Sequence, residues 1–314
     1  MKKQKLSLII CTRNRVDLLK NLLSSIVNSQ SQPHEVVIVS SGESIYELVN
    51  QYSILLKIKH LHTEMIGQSN QKKLAFNLLD DDSNWVFFLD DDLELKPTTL
   101  TDAFLRIRQI QNGNVSGIGT RLIHKSSNLE ELQPWQSNSR RQIGKIKPSG
   151  RATKYAFNSI TSTEWLNGAS IWRKDSLDQY TLPVLNSKYA AYEDVIFSSN
   201  VSKNSQLIYD PEIKVLEQLS HANIKLNLSQ FKYIALWTGY LVCSRPDTKI
   251  VSYKCLTIFR AFKFLLSGGF LQIVQTRKII AFLKFCSQMI SLPMNKSKSK
   301  EIIIGLLKLE SSVS

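Results

Sequence analysis

The sequence predicts an α/β fold, a mainly parallel central sheet flanked by helices, with a helical C-terminal extension. Three observations carry that expectation. Short apolar, β-branched runs alternate with amphipathic helical runs over residues 6–95, the pattern of strands joined by crossover helices. The run Trp85-Val86-Phe87-Phe88-Leu89 is apolar at every position, as a strand buried on both faces must be, and it stops in Asp90-Asp91-Asp92. Beyond His221 the strand signals cease, and segments at helical spacing interleave leucines and aromatics with lysines and arginines.

Leu6–Cys11 reads as the first strand and Thr12-Arg13-Asn14-Arg15 as its turn. Leu18, Leu19, Leu22, Leu23, Ile26 and Val27 then recur at helical spacing, with Thr12 or Asn14 as the cap. Gln32-Pro33 breaks that helix, Glu35–Val39 forms a second strand, and Ser40-Ser41-Gly42-Glu43-Ser44 turns into a helix through Leu48 and Val49. Leu55–Leu61 gives a third strand, and Gly67-Gln68-Ser69-Asn70 opens a helix with Leu74, Ala75, Leu78 and Leu79 on one side. The strand ends at Cys11, Val39 and Leu89 open on one edge, where such sheets bind ligands.

Pro97 starts a helix carrying Leu100, Phe104 and Ile107, Val115–Ile123 is strand-like, and Lys125–Tyr155 is a polar, basic excursion without a period. Glu164–Arg173 returns to strand-like sequence around Gly168, a residue type that often marks close approach of backbone to a ligand. Tyr189–Val195 leads into a helix, and Leu207–Leu219 is extended on both sides of Pro211. In the tail, Phe231–Val242, Ile250–Leu266 and Phe270–Ile290 are helical, Lys296–Lys300 is a charged linker, and Ile302–Leu309 is a last short helix.

With 314 residues, 43% apolar and 21% charged, the chain can bury a full-sized core. Cys11, Cys243, Cys255 and Cys286 have no paired spacing, which suits a reducing compartment and argues against a disulfide scaffold or zinc site. The start is basic, but its apolar stretch is only Leu6–Cys11, a strand rather than a signal peptide. No run reaches the roughly 18 apolar residues a membrane-spanning helix needs. The net charge of +14 is concentrated, because residues 222–314 hold 14 Lys and Arg against Asp247, Glu301 and Glu310. That asymmetry asks for an anionic partner. Basic amphipathic helices read as membrane-surface segments, unless their apolar sides pack on the core and leave the lysines to water.

Three adjacent carboxylates repel one another and are tolerable only in water or around a cation. Magnesium and manganese take oxygen ligands and share their shell with substrate phosphates. Asp90-Asp91-Asp92 follows a buried strand and so reads as a metal site, whereas the equally acidic Asp80-Asp81-Asp82 follows a helix and reads as a solvated turn.

At this point the chain resembles the inverting glycosyltransferases of family 2, which have the GT-A fold. Four stretches within residues 5–222 carry the resemblance in order: Leu6–Arg15, Phe88–Asp92, Leu166–Arg173 and Tyr192–Val195. It implies a catalytic domain over 1–222, with a nucleotide-binding half to about residue 95 and an acceptor half after it, and a basic helical region over 223–314. It implies a nucleotide-diphosphate sugar as donor, a divalent cation, and a glycan or lipid-linked acceptor. Asp90 and Asp92 match the first and last carboxylates of the family's Asp-x-Asp signature, which serve the ribose and the metal, with Asp91 between them. The general base falls on Asp194, with Glu193 in reserve. Thr12, Arg13, Arg15, Ser40, Ser41 and Asn70 fall on the donor side, and Trp165, Asn167, Gly168 and Trp172 on the acceptor side. The late metal-binding histidine corresponds to Glu217 by spacing or to His221 by residue type.

Two departures stand out. Ser40-Ser41 replaces the aspartate that relatives use on the base, and Ser69 replaces an arginine, with Lys72 or Lys73 as a substitute charge or simply solvated. Two other readings compete. A sugar-1-phosphate nucleotidyltransferase shares a nucleotide-binding α/β half, but Thr12-Arg13-Asn14-Arg15 lacks the glycines of its phosphate loop. A nucleic-acid-binding protein would use the basic tail, whose lysines alternate with leucines rather than clustering in a recognised module. The expected location is cytoplasmic, peripheral on the inner face of a membrane.

Overall fold

The computed structural model describes residues 4–110, 113–124, 144–153, 158–183, 191–218, 226–275 and 278–313. Strand β1 (Leu6–Arg13), α1 (Val16–Val27), β2 (Glu35–Ser41), α2 (Tyr46–Ser53), β3 (Ile58–His62), α3 (Gln68–Phe76) and β4 (Trp85–Asp90) form the alternating first half. Then come β5 (Leu93–Leu95), α4 (Thr99–Ile110), β6 (Val115–His124), β7 (Thr161–Thr163), β8 (Ser170–Arg173), α5 (Glu193–Val201) and β9 (Gln206–Glu217). The C-terminal region is helical: α6 (Leu228–Ser244), α7 (Ile250–Phe264), α8 (Phe270–Gln275), α9 (Ile279–Ile290) and α10 (Lys296–Val313).

The strands join one sheet in the order β3-β2-β1-β4-β8-β6-β9-β5, with β7 on β9. From β3 to β4 all pairs are parallel; β8 is antiparallel to both β4 and β6, and β6 is parallel to β9. Register aligns the carboxyl ends, because Cys11 sits opposite Val39 on one side and Asp90 on the other.

Period-two alternation builds two cores. Leu8, Ile10, Val36, Ile38, Phe87 and Leu89 face the layer of α1, α2 and α4. Ile9, Val37, Val39, Val86 and Phe88 face the other side, where Phe197 of α5 and Phe231, Trp237 and Ile303 of the C-terminal helices join the same core. The C-terminal helices therefore continue the core of the sheet.

Several local expectations change. No side chain caps α1: Thr12 is engaged by Asp91, and Asn14, at φ +54°, accepts the Glu43 amide at 2.8 Å. Only Ser170–Arg173 of the expected Glu164–Arg173 strand is extended sheet. Pro211 lies within a continuous β9 beside an irregularity in the β6–β9 register, where a missing N–H is tolerated. Lys296–Lys300 is not a linker but the first turns of α10; Asn295 Oδ1 accepts the Lys298 amide at 3.0 Å and starts the helix. Most of the Lys125–Tyr155 excursion lies outside the described residues. Its residues 144–153 form a small turn with Ile146 bridged to Ala152, resting on α6 through Gly150.

Candidate active site

A cleft of about 330 Å³ opens at the carboxyl ends of β1 and β4, lined by Cys11, Thr12, Arg13, Arg15, Gly67, Gln68, Gln71 and Asp90–Asp92. The three aspartates do different things. Asp91 is buried and points back into the protein, accepting Thr12 Oγ1 at 2.8 Å and Arg15 Nη1 at 2.9 Å. Burial raises its carboxyl from the ordinary value even against these partners. Asp91 thus locks the first loop to the end of β4. Asp90 and Asp92 are half-buried and line the cleft, with Asp92 Oδ2 at 3.4 Å from Arg15.

Asp90 accepts the Gln68 side-chain amide. Gln68 reaches it because Gly67, at φ +106°, turns the chain through a conformation other residues rarely adopt. Opposite, a Cβ on Gly168 would stand 2.9 Å from Asp90 Oδ2, so only glycine leaves the Asp90 carboxylate free space there. The same loop reaches α5, where the Leu166 amide donates to Ser198 Oγ at 2.9 Å.

At the start of α5 the acidic pair divides its work. Glu193 is buried, bound by the Lys72 ammonium and by Tyr180 Oη at 2.9 Å. Lys72 is therefore neither solvated nor free for a diphosphate. Burial alone would lower it, but the Glu193 and Asp90 charges raise it and keep it cationic. Lys73 is turned away, donating to the Leu182 carbonyl. Asp194 is half-buried beside this pair, its Oδ1 accepting its neighbour Val195 amide at 2.8 Å. Burial pushes its carboxyl up to about 7; the Glu193 and Asp90 charges push the same way, and the Val195 amide and Lys72 oppose.

The other expected residues separate into those that face the cleft and those that brace it. Arg13 lines it and makes no ion pair among the described residues. Ser40 is buried, its hydroxyl taken up by His60 Nε2 at 2.8 Å and His62 Nδ1 at 3.1 Å. Ser41 accepts Gln71 Nε2 at 3.1 Å, which also donates to the Thr12 carbonyl at 3.1 Å. Asn70 is buried, donating to the Ile66 carbonyl at 2.9 Å. Trp165 is half-buried and donates to the Thr153 carbonyl at 2.9 Å, and Asn167 donates to the Thr120 carbonyl at 3.1 Å.

Trp172 is misplaced as an acceptor residue. It is 1% exposed, with its ring centroid 4.3 Å from that of Phe197, and belongs to the core because β8 runs inside the sheet. His221 lies outside the described residues. The end of β9 does come to the corner of the cleft that holds Asp92, since Glu217 pairs with Leu93 and the Gln218 amide donates to the Asp92 carbonyl at 2.8 Å. Sequence reasoning missed Gln68, Gln71 and Tyr180, whose roles depend on contacts that no motif announces.

Asp80-Asp81-Asp82 is a turn, but not a purely solvated one. Lys57, Lys59 and His34 close on Asp80, and the two lysines hold its carboxyl below the usual range. Among the described residues, His34, Asp80 and Asp82 are the one group of three donors close enough to share an ion. Lys5, Lys57 and Lys59 already supply the positive charge there.

The chain resembles solved glycosyltransferase structures along nearly its whole length. S. aureus TarS 1–349 in complex with UDP-GlcNAc superposes with a TM-score of 0.57 at 16% identity, covering 99% of this chain and 92% of that one. The mannosyltransferase PcManGT from Pyrobaculum calidifontis, in complex with GDP-Man and Mn2+, gives 0.56 at 12% identity, covering 98% and 88%. These likenesses show a shared GT-A-like fold. No curated protein matches the sequence. The family model for glycosyl transferase family 2 matches residues 7–167, from the first strand to the loop that meets Asp90. That is just over half of the chain, and with the cleft at the carboxyl ends of β1 and β4 it makes this protein a glycosyltransferase belonging to family 2.

Proposed function

We propose that this glycosyltransferase is metal-dependent and inverting. It moves a sugar from a nucleotide-diphosphate donor to a glycan or lipid-linked acceptor in cell-surface polysaccharide synthesis, working peripherally at the cytoplasmic face of a membrane. The observation that carries the reading is the pair of carboxylates Asp90 and Asp92 on one cleft, together with an Asp194 carboxyl lifted to about 7 whose titration feels the Asp90 charge.

The donor set suits a hard divalent cation. Asp90 and Asp92 offer oxygen ligands on an open cleft, and Gly168 leaves the space at Asp90 that a side chain would fill. Such an ion, manganese or magnesium, would be held by Asp92 and Asp90 and would supply charge neutralisation at the diphosphate. Asp90 also serves the ribose, and Arg13 faces the phosphates. Glu193, neutralised by Lys72 and fixed by Tyr180, is not available as a base; Asp194 is. Asp194 takes the proton of the acceptor hydroxyl as that oxygen bonds to the anomeric carbon. The bond from this carbon to the diphosphate oxygen breaks on the opposite side, which inverts the centre. A carboxyl titrating near 7 is a stronger base than an ordinary aspartate and is still ionised in a useful fraction at neutral pH.

Thermal stabilisation by nucleoside diphosphates tests the donor site. Uridine or guanosine diphosphate with manganese raises the melting temperature, and either alone does so less. No shift with any nucleoside diphosphate in manganese rejects the reading.

A further inference from the structure

The C-terminal helices present an apolar face to the outside. On α7, Tyr253, Thr257 and Phe264 turn inward, while Ile258 and Phe262, with Leu266 just beyond, form a stripe on the opposite side. On α9, Phe282, Phe285 and Met289 turn inward, and Ile280 and Leu283 turn out. Both helices set their inner faces on α6, since the Phe231 ring lies 5.1 Å from that of Phe264 and 5.7 Å from that of Phe282. Their outer faces therefore look away from α6 together. Leu266 is 73% exposed, Ile280 80% and Phe262 62%, so these are not core residues showing an edge.

The charge along the segment that forms this face is of one sign. Residues 248–300 contain ten Lys and Arg and no Asp or Glu. Lys254 and Lys263 flank the α7 stripe on its two sides, Lys284 lies one turn from outward Ile280, and Lys278 is exposed at the start of α9. An apolar centre with a cationic border fits the acyl and headgroup layers of an anionic bilayer. A second copy of this chain would bring like charges together, and a nucleic acid would gain nothing from the phenyl and aliphatic centre. Among the described residues no helix is long and apolar enough to cross a membrane, so the face lies on a surface.

We propose that the outward face of α7 and α9 is a docking surface for an anionic lipid bilayer. Helix α7 also reaches the residue before the acidic pair of α5. Arg260 on α7 donates to Tyr192 Oη at 2.8 Å and lies over its ring, and Tyr192, held at φ +68°, immediately precedes Glu193 and Asp194. Docking thus sets the orientation of the acceptor side of the site relative to the lipid surface. The proposal does not depend on the sugar-transfer reading.

Flotation of the full chain with phosphatidylcholine vesicles, with and without phosphatidylglycerol, tests it. The wild type floats with the anionic vesicles and much less with the neutral ones. Combining Phe262→Ser, Leu266→Ser, Ile280→Ser and Leu283→Ser lowers the partition coefficient at least about tenfold, with circular dichroism and donor hydrolysis in solution unchanged. Combining Lys254→Gln, Lys263→Gln and Lys284→Gln removes the preference for phosphatidylglycerol. Unchanged flotation of the serine variant overturns the proposal. So does a wild-type dimer, seen by light scattering, that the serine substitutions dissolve, because the face then belongs to a second copy. Vesicle binding without donor hydrolysis would instead count against the sugar-transfer reading alone.

Discussion

The Lys72 ammonium and the Glu193 carboxylate, 121 positions apart in the chain, meet as a buried ion pair between α3 and α5. The pair ties α3, in the alternating first half of the chain, to the helix that carries Asp194. Removing one partner of a buried pair leaves the other charged and unsolvated, at a cost of about 3–5 kcal/mol. Lys72→Met therefore destabilises the protein by about that amount in urea unfolding. Because Lys72 also lowers the Asp194 carboxyl, the variant moves the acid limb of kcat/KM to higher pH. An unmoved limb would show that the pair only holds the fold.

Asp194 supplies a pH signature of its own. A base must be deprotonated to act, so kcat/KM falls as pH drops through about 7. Asp194→Asn abolishes transfer and keeps donor binding, measured by calorimetry. Its stability effect has a definite sign. The folded carboxyl titrates at about 7 against an unreacted value of 3.8, so the native state holds the proton more tightly than the unfolded chain. Stability is lost as pH rises between those values. The asparagine variant escapes that loss, and its melting temperature exceeds that of the wild type at pH values above the folded one, converging with it in acid. A difference that grows toward low pH would contradict the assignment.

The aspartate triplet separates function from stability. Asp92→Asn lowers donor hydrolysis in manganese by at least about a hundredfold with the melting temperature little changed. Asp91→Asn weakens the Thr12 and Arg15 contacts and costs about 1–3 kcal/mol of stability. If Asp91→Asn left the fold as stable as the wild type, the division of roles would be wrong.

Gly168→Ala tests the close approach at Asp90. The added Cβ would come within 2.9 Å of a carboxylate oxygen that Gln68 already holds. Donor KM rises about tenfold or more, the scale of one displaced ligand. An unchanged KM would mean that Asp90 has room to shift at no cost.

Much of this architecture is written in local pattern. Strand alternation, the helical period of α1 and the fully apolar Trp85–Leu89 run each depend on a few neighbouring residues, so the parallel first half and the position of Asp90–Asp92 at a strand end could be read directly. The acidic pair at the head of α5 was readable for the same reason. What the chain alone did not decide is which member of each acidic group faces the cleft. Asp91 turns toward Thr12 and Arg15, and Glu193 toward Lys72 and Tyr180. Trp172 was expected on the acceptor side and is core, because a glycine-containing stretch gives no sign that β8 inserts between β4 and β6. The amphipathic period of α7 and α9 was visible, but not which face stays uncovered. These choices rest on contacts between residues far apart in sequence, and only folding, which brings burial and opposite charge together at one point, makes them.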